Sequence, residues 1–220
     1  MRFYSLLSKI IQLDIHLENI GKRYNLEWIF RNVNLSFDSN SCSSILGSNG
    51  SGKSTLLQII SGYLSQSEGQ ICWKNNGVSI PTASLYHQVS VATPYLNLYD
   101  DFTLVENVNF FLQFKKLRGG ISAQEFAERI ELDKHIDKQI RFYSSGMRQR
   151  LKLGLAILAE SSLLLLDEPT SHLDANAINW FQQLLADNAK DRSIFVASNS
   201  HEDETFLCQN QIVVEDFKKK

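Results

Sequence analysis

The chain has 220 residues, a formal net charge of −2 and 43% hydrophobic content. This is enough to bury a core in one domain, or in one domain with a lobe. The near-neutral charge argues against wholesale nucleic-acid binding. No run approaches the ~18 apolar residues needed to cross a membrane. Met1 to Ile11 is short, mixed and lacks a small-residue cleavage pattern, so it reads as an extension ahead of the first strand and not as a signal peptide. Cys42, Cys72 and Cys208 are odd in number and widely spaced, which suggests neither a disulfide framework nor a zinc site and fits a reducing compartment.

In chain order, Leu13, Ile15 and Leu17 alternate with polar residues, as do Val33, Leu35 and Phe37. Both stretches predict half-buried strands of an antiparallel sheet. Cys42 to Leu46 predicts a short buried strand. It runs into Gly47-Ser48-Asn49-Gly50-Ser51-Gly52-Lys53-Ser54, which fits the phosphate-binding pattern Gly-x4-Gly-Lys-Ser/Thr. Thr55 to Ile60 continues as a helix that ends near Gly62. Glycines suit such a loop because the backbone must curl with its N–H groups turned toward an anion. The helix N-terminus adds partial positive charge. Lys53 then reaches the β- and γ-phosphates, and the Ser54 hydroxyl ligates Mg²⁺. The ligand class is a nucleoside triphosphate.

Further on, Gln70 to Trp73 and Val78 to Ile80 flank Asn75-Asn76-Gly77, a hairpin signal. Val89 to Ala92 predicts another strand. Thr103-x-x-Glu106 is a capping box opening a helix to about Leu117, and Ser122-x-x-Glu125 opens a second to about Ile130. A helix over Ser145 to Ala159 places Met147, Leu151, Leu155 and Leu158 on its apolar face, with Arg148, Gln149 and Lys152 facing away. Leu163 to Leu166 predicts a buried strand, Ala175 to Asn188 a helix capped by Asp174, and Ser193 to Ala197 and Gln211 to Val214 the last strands. Alternation of strand and helix implies a parallel sheet.

The strand Leu163 to Leu166 delivers Asp167 and Glu168. A rigid Asp167 can position Mg²⁺. Glu168, one residue further, can orient or deprotonate a water attacking the γ-phosphate. Ser144 to Leu151 places hydroxyls and a glycine at a helix start, a second anion site in type.

The stretch Tyr143-Ser144-Ser145-Gly146-Met147-Arg148-Gln149-Arg150 resembles the signature of ATP-binding cassette (ABC) ATPases, commonly Leu-Ser-Gly-Gly-Gln. The order of phosphate loop, helical lobe, signature, Leu-Leu-Asp-Glu-Pro-Thr and Ser171-His172-Leu173-Asp174 is similar to that family over about Leu13 to Val214. The resemblance implies an α/β fold of the P-loop NTPase type. It combines a mixed core sheet with an N-terminal antiparallel β subdomain (about 1–94 and 160–220) and an inserted helical subdomain (about 95–159). It implies Mg-dependent hydrolysis of ATP, with Glu168, His201 and Lys53 catalytic and Ser54 and Asp167 on the metal. Tyr24 would stack on adenine, with Trp28 a rival. Gly47 to Thr55 (Gly47, Ser48, Asn49, Gly50, Ser51, Gly52, Lys53, Ser54, Thr55) would hold the phosphates. Ser144 and Gly146 would be supplied by a second copy.

The implied role is the nucleotide-binding subunit of a transporter. Such a subunit dimerises on ATP, is cytoplasmic, and acts at the inner face of the membrane through a separate transmembrane chain. No nucleic acid and no direct membrane insertion are expected. The absence of a long C-terminal segment leans toward compact bacterial exporters. The alternative is a soluble ABC ATPase acting on nucleic acid or the ribosome. Three departures from the family stand out. Pro94 occupies the position where a glutamine usually meets the metal or the water. In the signature, Ser145 and Met147 replace glycine and glutamine, and in the phosphate loop Ser48 stands where proline is common.

Overall fold

A computed structural model describes residues 12–199 and 202–218. The chain begins with the antiparallel pair β1 (Leu13–Tyr24) and β2 (Glu27–Phe37). Next come β3 (Cys42–Leu46), α1 (Lys53–Ile60), β4 (Glu68–Asn75), β5 (Val78–Ser79), the single turn α2 (Thr82–Leu85) and β6 (Val89–Ala92). The helices α3 (Leu104–Phe111), α4 (Ala123–Arg129) and α5 (Ser145–Ile157) follow. The remainder is β7 (Leu163–Asp167), α6 (Ala175–Asn188), β8 (Ser193–Ser198), α7 (Glu202–Thr205), β9 (Asn210–Val213) and a 3-10 turn at Val214–Phe217.

Two sheets divide these strands. One has the order β2-β1-β4-β5 and the other β6-β7-β8-β3-β9. The first is antiparallel in every pairing and the second parallel in every pairing. The alternation of Leu13, Ile15 and Leu17 buries one face of the first sheet. The Asn75–Val78 pairing closes a two-residue turn in which Asn76 and Gly77 both have positive φ, the turn twist that suits a hairpin. Along the parallel strands, side chains alternate between two cores. Leu163, Leu165, Phe195 and Ala197 face the antiparallel sheet and α1. Leu164, Leu166, Ile194 and Val196 face the helices α4, α5 and α6. Strands buried on both sides read as continuous apolar runs, and this explains Leu163-Leu164-Leu165-Leu166. At about 1.5–3 kcal/mol per fully buried side chain, this four-residue run anchors the strand that ends in Asp167.

Both capping boxes form, with Thr103 capping α3 and Ser122 capping α4, and Asp174 caps α6. The helix α3 stops at Phe111, short of Leu117. Leu117 instead pairs with Ala159, and Arg118 N–H donates to Leu158 O, so the chain after α3 leaves the helix to bind the end of α5. Buried Arg192 donates to Ile157 O and Ala159 O, placing a cation at the C-terminus of α5 where the helix dipole favours it. Gln149 does not face away from the core. It is 8% exposed, and its Nε2 donates to Pro169 O at 2.8 Å. An amide can be buried on a helix when a loop carbonyl waits for it.

The cysteines also depart from expectation. Cys42 and Cys208 are joined as a disulfide with Cα atoms 4.4 Å apart, and Cys72 is free. An odd count leaves room for one pair, and the parallel pairing of β3 with β9 carries the two positions together.

Candidate functional site

The site is built where β3, β7 and β8 end on the same edge of the parallel sheet. Parallel neighbours deliver their C-terminal residues to one place, the usual position of ligands in such sheets. Leu46, Asp167 and Ser198 lie on adjacent strands, with Asp167 opposite Ala197 and Leu46 opposite Ser198.

Gly52 caps α1 in the left-handed region at φ 112°. A Cβ there would stand 2.5 Å from Ile29 Cγ2, so only glycine lets the loop turn against β2. The loop closes on itself through Ser51 N–H to Ser48 O at 3.0 Å. Ser54 and Thr55 lie in the first turn of α1, beside N–H groups that the helix leaves unpaired. Gly47, Ser48 and Asn49 line a cavity of about 530 Å³ together with Leu46, Asn199 and Val213.

Lys53 is buried, with its ammonium folded back over the loop. Its Nζ donates to Gly47 O at 2.9 Å, to Ser48 O at 3.1 Å and to Asn199 Oδ1 at 2.6 Å. It also stands 4.0 Å from Glu168 Oε1. Asn199 completes the connection by donating its Nδ2 to Glu168 Oε1 at 3.2 Å. Asn199 did not stand out in the sequence, where it is one residue of a turn after a strand. Only the register of β8 beside β7 and β3 reveals it.

Asp167 and Glu168 are adjacent but differently placed. Asp167 is 4% exposed and accepts a hydrogen bond from Ser54. Burial pushes its carboxyl above the ordinary range, against the opposing Ser54 bond, and the neighbouring Glu168 adds to the rise. Glu168 has φ 47°, a left-handed backbone rare outside glycine. That turn ends the strand and sends the second carboxylate toward Asn199, half open to solvent. Strained backbone of this kind is held by its surroundings and concentrates at functional sites. Here Glu168 N–H donates to Ala197 O, and Glu204, on α7, accepts from both Thr170 N–H at 3.0 Å and Thr170 Oγ1 at 2.6 Å. Glu204 is a second residue that the sequence did not single out, because its role depends on α7 folding back over the turn.

Asp167 Oδ1 is buried and has no hydrogen-bond partner. A buried carboxylate oxygen without a partner, next to a serine hydroxyl, is a donor set that fits a hard cation such as Mg²⁺.

The other expected residues lie apart from this centre. Tyr24 is 48% exposed at the tip of the β1–β2 hairpin, with Lys22 Nζ 5.2 Å from its ring. Trp28 is covered by the guanidinium of Arg31 at 4.1 Å and lies 5.4 Å from that of Arg23. Ser144 caps α5 by accepting from Met147 N–H, and it is exposed. Gly146 packs near His172 O, where a Cβ would stand at 3.2 Å. Neither Ser144 nor Gly146 lines the phosphate-loop cavity. Pro94 instead adjoins the centre, in a cavity of about 330 Å³ that Glu168 also lines with Ser145 and Gln149, and its carbonyl accepts from Lys152 Nζ at 3.0 Å. His201 lies outside the described residues.

Known proteins are similar to this chain in sequence and in fold. The sequence profile of the family described as ABC transporter matches residues 30–171. The chain is 30% identical to ABC transporter I family member 1 of Arabidopsis thaliana, over 83% of this chain and 80% of that protein. It is 28% identical to Nod factor export ATP-binding protein I of Cupriavidus metallidurans, over 93% of this chain and 69% of that one. Its fold is similar to a putative ABC transporter ATP-binding protein from Pyrococcus furiosus, with TM-score 0.77 at 18% identity, covering 94% of this chain and 100% of that one. It is also similar, with TM-score 0.75 at 23% identity, to an ATP-binding cassette in a dimeric post-hydrolysis state bound to ADP and phosphate, covering 90% of this chain and 96% of that one. Through the profile that spans its phosphate loop and both carboxylates, this chain belongs to the ABC transporter family and carries that family's ATP-binding cassette.

Proposed function

We propose that the chain hydrolyses ATP with Mg²⁺ as the cytoplasmic subunit of a transporter, and that two copies close head to tail to drive a separate transmembrane chain. The observation that carries this reading is the linked set Lys53–Asn199–Glu168 beside the unpartnered oxygen of Asp167. On this reading the phosphates displace the carbonyls of Gly47 and Ser48 from Lys53, whose ammonium then faces the β- and γ-phosphates. Ser54 and Asp167 would hold the cation, which when bound would supply positive charge to offset that of the phosphate oxygens. Glu168 orients a water and accepts its proton as the water oxygen bonds to the γ-phosphorus and the bond to the β–γ bridging oxygen breaks. Asn199 keeps the Glu168 carboxylate aimed, and His201 assists. Tyr24, 48% exposed, offers its ring for adenine, whereas the Arg31 guanidinium sits 4.1 Å from the Trp28 ring.

The placement of Ser144 and Gly146 away from the phosphate loop supports their supply by a second copy. A surface suited to the transmembrane partner lies elsewhere. An apolar cavity of about 770 Å³ is lined by Tyr86, Leu98, Tyr99, Phe110 and Phe114, with Lys115 at its edge. Tyr63, Tyr86 and Phe114, which line it, are strongly exposed. Exposed aromatics clustered on one face are typical of an interaction surface. Among the described residues no helix is long and apolar enough to cross a membrane.

Affinity purification from detergent-solubilised native membranes tests the transport reading. The expected result is co-purification of a polytopic membrane protein that Phe114→Asp abolishes while leaving MgATP binding intact. Recovery of nucleic acid or ribosomal particles in its place would overturn it.

A further inference from the structure

Glu215 reaches the phosphate loop from the last turn of the chain. The parallel register pairs Leu46 of β3 with Val213 of β9, and two residues beyond each strand Ser48 meets Glu215. Ser48 N–H donates to Glu215 Oε1 at 2.7 Å, and the Ser48 hydroxyl donates to the same oxygen at 2.9 Å. The Ser48 N–H holds the Glu215 carboxyl below the usual carboxylate range. The other oxygen, Oε2, is buried over Gly47. A Cβ on Gly47 would stand 2.6 Å from it and 2.5 Å from Ser51 Oγ, so the carboxylate fits only because position 47 has no side chain.

The Ser48 residue is thus held from two sides. Its N–H is bound by Glu215, and its carbonyl is bound by Lys53. Glu215 forms no ion pair with Lys53 among the described residues, where the acidic partner of Lys53 is Glu168. The Glu215 contact therefore holds the outside of the loop and leaves the Lys53 side free for phosphate. Proline, common in the family at this position, could not make the contact, because it has neither the N–H nor the hydroxyl.

We propose that Glu215 is a positioning residue for the nucleotide: its carboxylate fixes the first peptide of the phosphate loop, so that Lys53 and the N–H groups that follow are preorganised for the phosphates. This rests on the ATP reading of the same site. Preorganisation lowers the ordering cost of binding and leaves the chemical step alone. The expected signature is a rise in Kd and KM at constant kcat.

The test is equilibrium binding of MgATP, with steady-state phosphate release, for the wild type, Glu215→Ala, the isosteric Glu215→Gln, Ser48→Pro and the Ser48→Pro/Glu215→Ala double variant. Loss of a charged hydrogen-bond partner predicts a Kd raised about tenfold in Glu215→Ala, with a smaller rise in Glu215→Gln and kcat within about twofold. In the Ser48→Pro background, Glu215→Ala should change Kd by less than about 1.5-fold, because the contact is already gone. An unchanged Kd in folded Glu215→Ala overturns the proposal, and so does an equal loss in both backgrounds. If Glu215→Ala fails to fold, Glu215→Gln carries the same comparison. Failure of the wild type to bind MgATP would overturn the ATP reading itself, a result distinct from a wild type that binds and a variant that binds equally well.

Discussion

The Lys53 ammonium and the Glu168 carboxylate stand 4.0 Å apart, and the Asn199 side chain bonds to both. On the proposed reading, a cation that meets phosphate and a carboxylate that meets water are thereby held close without collapsing into a tight ion pair. The amide is suited to this because it accepts from one partner and donates to the other.

Asn199→Ala removes both bonds and frees Glu168 to swing. The expected result is a kcat for phosphate release lowered about tenfold, with a smaller effect on KM. A kcat within twofold of the wild type would remove Asn199 from the site.

Asp167 carries a cost in the nucleotide-free protein. Its folded pKa is raised by burial, so ionisation at neutral pH opposes folding. That penalty is relieved as pH falls through the raised folded value, and the favourable contribution of the neutral form is complete below the ordinary carboxylate pKa. Asp167→Asn should therefore raise the apo melting temperature at pH 7. It should also abolish Mg-dependent hydrolysis. Differential scanning calorimetry from pH 7 down to the ordinary carboxylate range checks both sign and trend, since the advantage should shrink as pH falls through the raised folded value. A lower melting temperature at pH 7 would contradict it.

Pro94 shares a cavity with Glu168 yet offers no side-chain donor or acceptor. Pro94→Gln places an amide there that can hold the attacking water. With the membrane partner present, turnover is expected to rise about threefold. Unchanged turnover would show that the position does not limit hydrolysis.

Gly154 lies where α5 crosses the end of α4. A Cβ would stand 2.4 Å from Ile130 Cγ2 and 3.1 Å from Phe126 Cζ. Alanine gains about 0.5–1 kcal/mol from helix propensity. Overpacking costs about 1–3 kcal/mol, and Ile130 and Phe126 are fully buried with little room to yield. The clash should win, lowering the denaturation midpoint in urea. A midpoint at or above that of the wild type would show that the crossing relaxes.

Local signals were read directly from the sequence. The capping residues Thr103, Ser122 and Asp174, the turn at Asn76-Gly77 and the strand Leu163 to Leu166 all form as their side chains dictate. Features that depend on pairing between distant segments were not legible. Leu117 abandons its helix for Ala159, Gln149 turns inward to Pro169 O, and Cys42 meets Cys208 across two paired strands. The site divides in the same way. Lys53, Ser54, Asp167 and Glu168 belong to contiguous motifs and converge in space. Asn199, Glu204 and Glu215 reach the loop and the carboxylate turn only because four strands, β7, β8, β3 and β9, lie side by side and α7 folds back over them, and no spacing in the chain announces that.

The shared-site account is tested most directly by sedimentation velocity of Glu168→Gln with and without MgATP. The variant keeps the shape of the carboxylate but cannot accept the proton, so bound ATP persists and Ser144 and Gly146 of a second copy can close on it. The account predicts a monomer without nucleotide and a stable dimer with saturating MgATP. A variant that binds MgATP normally but remains monomeric, alone and with its membrane partner, would contradict it.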